Sequence, residues 1–241
     1  MPHSAPPPDT PRRAFWRGFR AGAPFLLVVI PFGMLFGVVA TEAGLDLAQT
    51  MGMTVAVIAG AAQFAAVALM VEDAPVLIVL VTALAVNLRM AMYSAALAPW
   101  LGAAPLWQRA LAAYFMVDQA YAVSHAEYER APRLPIAARV AYYFGAVTPV
   151  CGPWYLATWA GAVAGAAIPP AFALDFAVPV AFLALVAPML RSAAHVAAAG
   201  VSVVLALALA FLPYNLGLLI AAAAAMIAGA QVERWQEARA A

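Results

Sequence analysis

Charge and cysteine are both scarce in this chain. Only 10% of its 241 residues are charged, lysine does not occur, and Cys151 is the one cysteine. One cysteine cannot form a disulfide within the chain, and no CxxC, HExxH or P-loop lysine is present. A net charge of +1 without a long basic run gives no support to nucleic-acid binding. We therefore expect no metal site and no cofactor.

The chain contains two long stretches without charged residues. Residues 140–174 and 192–232 contain no Asp, Glu, Lys or Arg. A soluble domain needs polar surface, whereas about 20 apolar residues cross the hydrocarbon core of a bilayer as one helix. With 67% hydrophobic residues and a mean hydropathy of +0.92, the chain is predicted to be a polytopic membrane protein. Its apolar residues come in unbroken blocks, which favours helices over a transmembrane barrel.

Charges, prolines and glycines divide the chain into about eight candidate membrane helices. Their approximate ranges are 21–41, 48–71, 74–99, 108–126, 138–164, 171–190, 194–212 and 214–232. The predicted fold is all-α. Residues 1–20 are expected to form a disordered cytoplasmic tail, residues 21–232 a single transmembrane domain, and residues 233–241 a cytoplasmic C-terminal tail.

The arginines predict the direction of these helices, because cytoplasmic loops collect positive charge. With the N-terminus inside, ten of the twelve arginines fall on the cytoplasmic side, and Arg109 alone falls outside. Arg89 lies within the third span. A seven-span alternative would move Arg234 and Arg239 to the outside, so eight spans are favoured. We expect a multi-pass protein of the inner (plasma) membrane with both termini in the cytoplasm.

An internal repeat is a further possibility. The fragment Ala-Val-Asn-Leu-Arg ends at Arg89, and Ala-Pro-Met-Leu-Arg ends at Arg191, 102 residues later. The two fragments lie in spans three and six, which run in opposite directions, as an inverted-topology repeat requires.

Helix breaks are expected in two spans. Gly60 to Phe64, a segment that includes Gln63, interrupts the middle of span two. In span five, Thr148 is followed by Pro149 and Pro153, and each proline removes a backbone donor. Irregular backbone at membrane depth survives only where protein or a water-filled cavity surrounds it. Carriers use such breaks to direct half-helix ends at substrate charges, although a kink that only shapes packing is the alternative reading.

Two charged residues are predicted to lie inside the membrane. Arg89 falls in span three, and Asp118 falls near the centre of span four. An arginine there costs at least about 2.5 kcal/mol, so it should face a partner or a water-filled cavity. The two residues could form a structural ion pair. Alternatively, Arg89 lines a substrate site and Asp118 couples transport to protons. Asp175, after two prolines, is better explained as a helix cap.

The chain resembles the AzlC family of branched-chain amino acid permeases over nearly its whole length after residue 15. The resemblance rests on the order and spacing of several fragments: Pro31 to Gly37, Ala59 to Phe64, Asn87-Leu-Arg89 with Tyr93-Ser94, Asp118 with Ala120, and Leu174 to Phe176. The family often has an acid after the aspartate, where this chain has Gln119. The resemblance implies the large subunit of a two-component exporter, paired with a small AzlD-like membrane subunit.

The buried charges predict a secondary transporter of an amino acid that is coupled to an ion gradient. The resemblance implies that it exports branched-chain or other small hydrophobic amino acids. Arg89 would bind the substrate carboxylate, and Asp118 would carry the coupling proton. The remaining expected substrate-binding residues are Gln63, Phe64, Asn87, Tyr121 and Thr148. A membrane channel is the alternative. An intramembrane enzyme is less favoured, because neither His125 nor His195 lies at mid-span and Ser94 lacks an obvious base.

Overall fold

A computed structural model describes residues 10–165, 190, 192–213 and 216–240. These residues form α-helices joined by short connections, and no strand occurs among them, which confirms the predicted all-α fold. They divide into two compact units: one lies within residues 1–64 and 83–169, the other within 65–82 and 170–241. Apart from Leu190, the sixth predicted span, with Asp175, falls outside the described residues, as does Arg191. The inverted repeat therefore stays a prediction.

The first two helices correct the expected N-terminal tail. Helix α1 covers Pro11–Gly22, a short 3₁₀ turn covers Ala23–Phe25, and α2 covers Leu26–Glu42. Thr10 caps α1 by accepting a hydrogen bond from the backbone N–H of Arg13, and Pro11 suits the first helical position. The disordered tail expected over residues 1–20 is therefore wrong for residues 11–20, because a capped helix begins there.

Span two is broken, but at residues 57–59 and not over Gly60 to Phe64, where the sequence predicted the interruption. Helix α3 covers Leu47–Ala56 and α4 covers Gly60–Val71. Asp46 and Gln49 start α3 with a reciprocal capping box, and Val57 ends it in an extended conformation. A Cβ atom at Gly60 would come within 2.7 Å of the Phe32 ring, so glycine is needed where α4 begins.

Span three is one helix, but span four is not. Helix α5 covers Val76–Leu101, α6 covers Leu106–Tyr114, and α7 covers Asp118–Arg130. The extended residue Val117 separates α6 from α7. Asp118 therefore lies in the first turn of a helix, not in the middle of a continuous span as the sequence predicted.

The prolines of span five do not break it. Helix α8 runs without interruption from Ile136 to Gly165 and contains both Pro149 and Pro153. Close packing along its length explains its continuity, since a Cβ atom at Gly161 would overlap the backbone of Met34, and one at Gly37 would overlap that of Thr158. The packing of α1 and α2 on α8 therefore outweighs the local effect of the two prolines.

Buried polar and aromatic side chains pack at the centre of the first unit. Trp154 of α8 donates a hydrogen bond from Nε1 to Oγ1 of Thr54, at 2.8 Å. The Trp154 ring also packs on Phe32 and Phe36 of α2. These contacts join α8, α3 and α2 around the break between α3 and α4.

Two further helices of the second unit lie within the described part of the chain. Helix α9 covers Ala193–Ala208, with Ser192 as its cap, and α10 covers Leu216–Ala240. They pack closely on each other, because a Cβ atom at Gly217 would come within 2.5 Å of the Leu209 carbonyl oxygen.

Three stretches of helix in the described residues are long and apolar enough to cross a bilayer: Pro11–Glu42, Val76–Leu101 and Leu216–Gln236. Gly60–Val71 and Ala193–Ala208 are apolar but shorter. These helices agree with the predicted membrane protein. The number of eight spans and the single transmembrane domain over residues 21–232 stay predictions.

Candidate functional site

Arg89 and Asp118 form an ion pair. Nη1 of Arg89, in the middle of α5, lies 2.8 Å from Oδ2 of Asp118, at the start of α7. The break after α6 makes this possible, because Val117 is extended and directs the chain into a new helix. The first turn of α7 also suits a carboxylate, since free N–H groups and the positive end of the helix dipole lie there.

The ion pair is partly open and leaves polar atoms available. The exposed fraction of the side chain is 32% for Arg89 and 40% for Asp118. Nε of Arg89, Oδ1 of Asp118 and Oδ1 of Asn87 are buried atoms without a hydrogen-bond partner among the described residues. Charged side chains at membrane depth need a charged partner or water. The ion pair supplies the partner but leaves these polar atoms without a hydrogen bond to a described residue. It can therefore accept a further polar group.

Two tyrosines continue the contact between α5 and α7. Tyr93 lies one turn after Arg89, and Tyr121 lies one turn after Asp118. Their rings stack with centroids 4.2 Å apart and planes 13° apart. Tyr93 also interacts with Asp118. Tyr121 was expected to bind substrate. Tyr93 was not expected in the site, although its spacing of four from Arg89 puts both on one face of α5.

The side chain of Gln63 is fully buried. Its side chain is 0% exposed, and neither Nε2 nor Oε1 makes a hydrogen bond to a described residue. Gln63 and Arg89, both expected to bind substrate, are therefore not joined by a hydrogen bond through the Gln63 amide. A fully buried amide with both polar atoms free is costly, by about 1–3 kcal/mol for each unmade bond. Gln63 is thus suited to bind a polar group that enters the protein.

Phe64 and Thr148 have structural surroundings. Phe64 is 4% exposed and packs on Phe32 and Phe36, with ring centroids 5.0 and 5.5 Å apart. The hydroxyl of Thr148 donates a hydrogen bond to the Phe144 carbonyl of its own helix, at 2.7 Å. These ring contacts and this hydrogen bond do not join Phe64 or Thr148 to the ion pair. Their predicted role in substrate binding stays a prediction.

Residues 24–168, more than half of the chain, match the AzlC protein family. The chain belongs to the AzlC family. Comparison with curated proteins and with solved structures finds no match. Membership confirms the predicted resemblance and associates this AzlC protein with a transport-related function in a membrane. The matched region contains Gln63, the Arg89–Asp118 pair and the tyrosine stack.

A second charged cluster in this AzlC protein was missed by the sequence analysis. Glu127 of α7 is only 7% exposed and lies between two arginines, with Nη2 of Arg17 at 2.9 Å and Nη2 of Arg130 at 2.6 Å. The hydrogen bond and charge of Glu127 raise the pKa of Arg130 above its ordinary value. The spacing of three between Glu127 and Arg130 was visible in the sequence, whereas Arg17 lies 110 residues away.

A further cleft in this AzlC protein lies away from the predicted site residues. A shallow open cleft lies between α6 and α8, lined by Gln108, Arg109, Tyr143 and their neighbours, and none of the predicted site residues borders it. Within the described ranges, no group of three His, Cys, Asp or Glu residues could hold a metal ion.

Proposed function

We propose that this chain is the large subunit of a secondary carrier that exports branched-chain or other small hydrophobic amino acids. The observation that carries the proposal is the partly exposed ion pair between Arg89 and Asp118. An amino acid has one carboxylate and one ammonium group. Arg89 offers a cation for the first and Asp118 an anion for the second, so the substrate would exchange partners with the pair.

The buried amide of Gln63 supports the same proposal. It has two donors and an acceptor that no described residue uses, and a zwitterion needs both kinds of hydrogen bond. Asn87, two residues before Arg89 on α5, has an oxygen that no described residue uses. Phe64, Tyr121 and Thr148 complete the proposed site as its less polar wall.

Asp118 is the proposed coupling residue. A carboxylate that binds Arg89 in one conformation and loses it in another will change its proton affinity, since the nearby cation favours the charged form. Such a residue can carry a proton during the transport cycle. Proton transfer by Asp118 requires neither a bound cofactor nor an enzymatic step. The proposed function is therefore that of a carrier and not of an enzyme.

The partner and the location follow from the family resemblance and from the arginine distribution. We propose a small AzlD-like membrane subunit, an inner (plasma) membrane location and cytoplasmic termini. Purification in mild detergent is expected to recover the small subunit with this chain. Reporter fusions after residue 241 and near residues 212–213 test the orientation, which is overturned if the C-terminal fusion reports from the outer side.

Counterflow in proteoliposomes tests the proposed function. Vesicles that contain the purified complex are loaded with unlabelled leucine, and uptake of external labelled leucine is followed over time. A carrier accumulates label transiently above equilibrium, because exchange is faster than net movement. A channel gives only equilibration, and that result would overturn the proposal. Arg89→Gln serves as the variant that should abolish counterflow, and Arg133→Gln, in an exposed loop, serves as its control.

A further inference from the structure

The rotation of α1 about its own axis is fixed by small residues. Ala14, Gly18 and Gly22 lie four apart on one face, and all three are buried. A Cβ atom at Gly18 would overlap the Tyr142 carbonyl of α8, and one at Gly145 would overlap the Phe15 carbonyl of α1. The two backbones are therefore in direct contact, as in small-xxx-small helix pairs. The opposite face of α1 must point away from α8.

That opposite face is basic and aromatic. Arg12, Arg13 and Arg20 are exposed, and Trp16, which lies between them at helical spacing, is 49% exposed. The three arginine side chains make no ion pair or hydrogen bond with any described residue. Arg17 differs, because it turns toward Glu127. We call the surface formed by Arg12, Arg13, Trp16 and Arg20 the basic face.

The length of the helix sets the depth of the basic face. Pro11–Glu42 forms a run of 32 residues, which is about 48 Å at 1.5 Å per residue. The hydrocarbon core is only about 30 Å thick. Residues 21–41 carry no charge and match that thickness, so the basic face extends beyond the core into the region of the lipid headgroups.

We propose that the basic face binds the phosphates of anionic phospholipids. Guanidinium groups form paired hydrogen bonds to phosphate oxygens, and Trp favours the membrane–water interface. Because α1 is fixed against α8, the three arginines are already directed at the headgroups before lipid binds. The position of the face at headgroup depth favours a lipid phosphate over a free anion or an acidic protein. This proposal does not depend on the transported substrate.

Native mass spectrometry of the full chain in mild detergent tests the proposal. The protein is titrated with phosphatidylglycerol and, separately, with phosphatidylcholine. The variant Arg12→Gln/Arg13→Gln/Arg20→Gln is compared with Arg109→Gln/Arg133→Gln/Arg234→Gln, which removes the same charge elsewhere. Each juxtamembrane arginine contributes about fivefold to anionic-lipid affinity, so the basic-face variant should bind phosphatidylglycerol about a hundredfold more weakly at its tightest site.

Three results would overturn the proposal. The first is an equal decrease in phosphatidylglycerol affinity in both triple variants, since binding would then depend on the total charge of the protein and not on the basic face. The second is equal binding of phosphatidylcholine to the unaltered protein. The third is displacement of bound phosphatidylglycerol by inorganic phosphate at the same concentration as the lipid, which would indicate a site for free anions. If the triple variant does not fold, Arg20→Gln alone should weaken binding about fivefold, and unchanged binding would also overturn the proposal.

Discussion

Nη1 of Arg89 lies 2.8 Å from Oδ2 of Asp118, and the pair joins the middle of α5 to the first turn of α7. If one of the two were removed, the other would be left as an unpaired charge inside the protein, which is costly. Their pairing explains how both are tolerated, and their partial exposure leaves the pair open to competition from a substrate.

Asp118→Asn should abolish gradient-driven transport and leave leucine exchange measurable, although at higher leucine concentrations because the substrate ammonium loses its anionic partner. The amide keeps the size of the carboxyl group but cannot carry a proton. Uptake driven by an imposed pH gradient and counterflow without a gradient are measured in the same proteoliposomes. Asp73→Asn, in an exposed turn, is the control and should retain both activities.

Intact uphill transport by Asp118→Asn would mean that coupling lies elsewhere, and Asp175 is the next acid to test. Failure of the variant to fold would favour a purely structural pair. In that case Arg89→Gln/Asp118→Asn should recover folding, because the double change leaves no unpaired charge.

Gln63→Met should stabilise the protein while weakening substrate binding. The amide of Gln63 is fully buried and makes no hydrogen bond to a described residue, so an apolar side chain of similar length relieves a cost of about 1–3 kcal/mol. Thermal unfolding in detergent should show a higher midpoint, and counterflow should need more leucine. A lower midpoint with unchanged counterflow would contradict the role of Gln63 in the site.

Glu127→Gln should destabilise the contact between α1 and α7. Glu127 is buried between Arg17 and Arg130, but their side chains are 37% and 73% exposed, so water compensates much of the loss. We expect a decrease of about 1–2 kcal/mol in the free energy of unfolding, less than for a fully buried pair. Glu129→Gln is the control, because Glu129 is 64% exposed. Equal effects of the two changes would show that Glu127 does not hold α1.

Gly145→Ala and Gly152→Ala should have different effects on stability although both lie in α8. A Cβ atom at Gly145 would overlap the backbone of Phe15, whereas one at Gly152 meets no atom within 4 Å. The first change should lower the unfolding temperature by separating α1 from α8. The second should leave it unchanged or raise it, because alanine is favoured over glycine in a helix by about 1 kcal/mol. Equal stability of the two variants would mean that α1 does not pack on α8 so closely.

Local sequence patterns determined much of this protein. The absence of charge over residues 140–174 and 192–232 predicts membrane helices, because burying ionised side chains in hydrocarbon is costly. Gly60 predicted an interruption of span two, and the break lies directly before it, at residues 57–59. The fragments around Gln63, Arg89 and Asp118 also predicted the AzlC family, since their order along the chain is itself sequence information.

The tertiary structure decided what depends on neighbours distant in the chain. Pro149 and Pro153 predict a break, yet α8 is continuous because α1 and α2 pack along it. Four arginines near the N-terminus look equivalent in the sequence, but Arg17 alone turns inward, because Glu127 lies beside it in space. Such contacts join residues more than a hundred positions apart, and no local pattern records them.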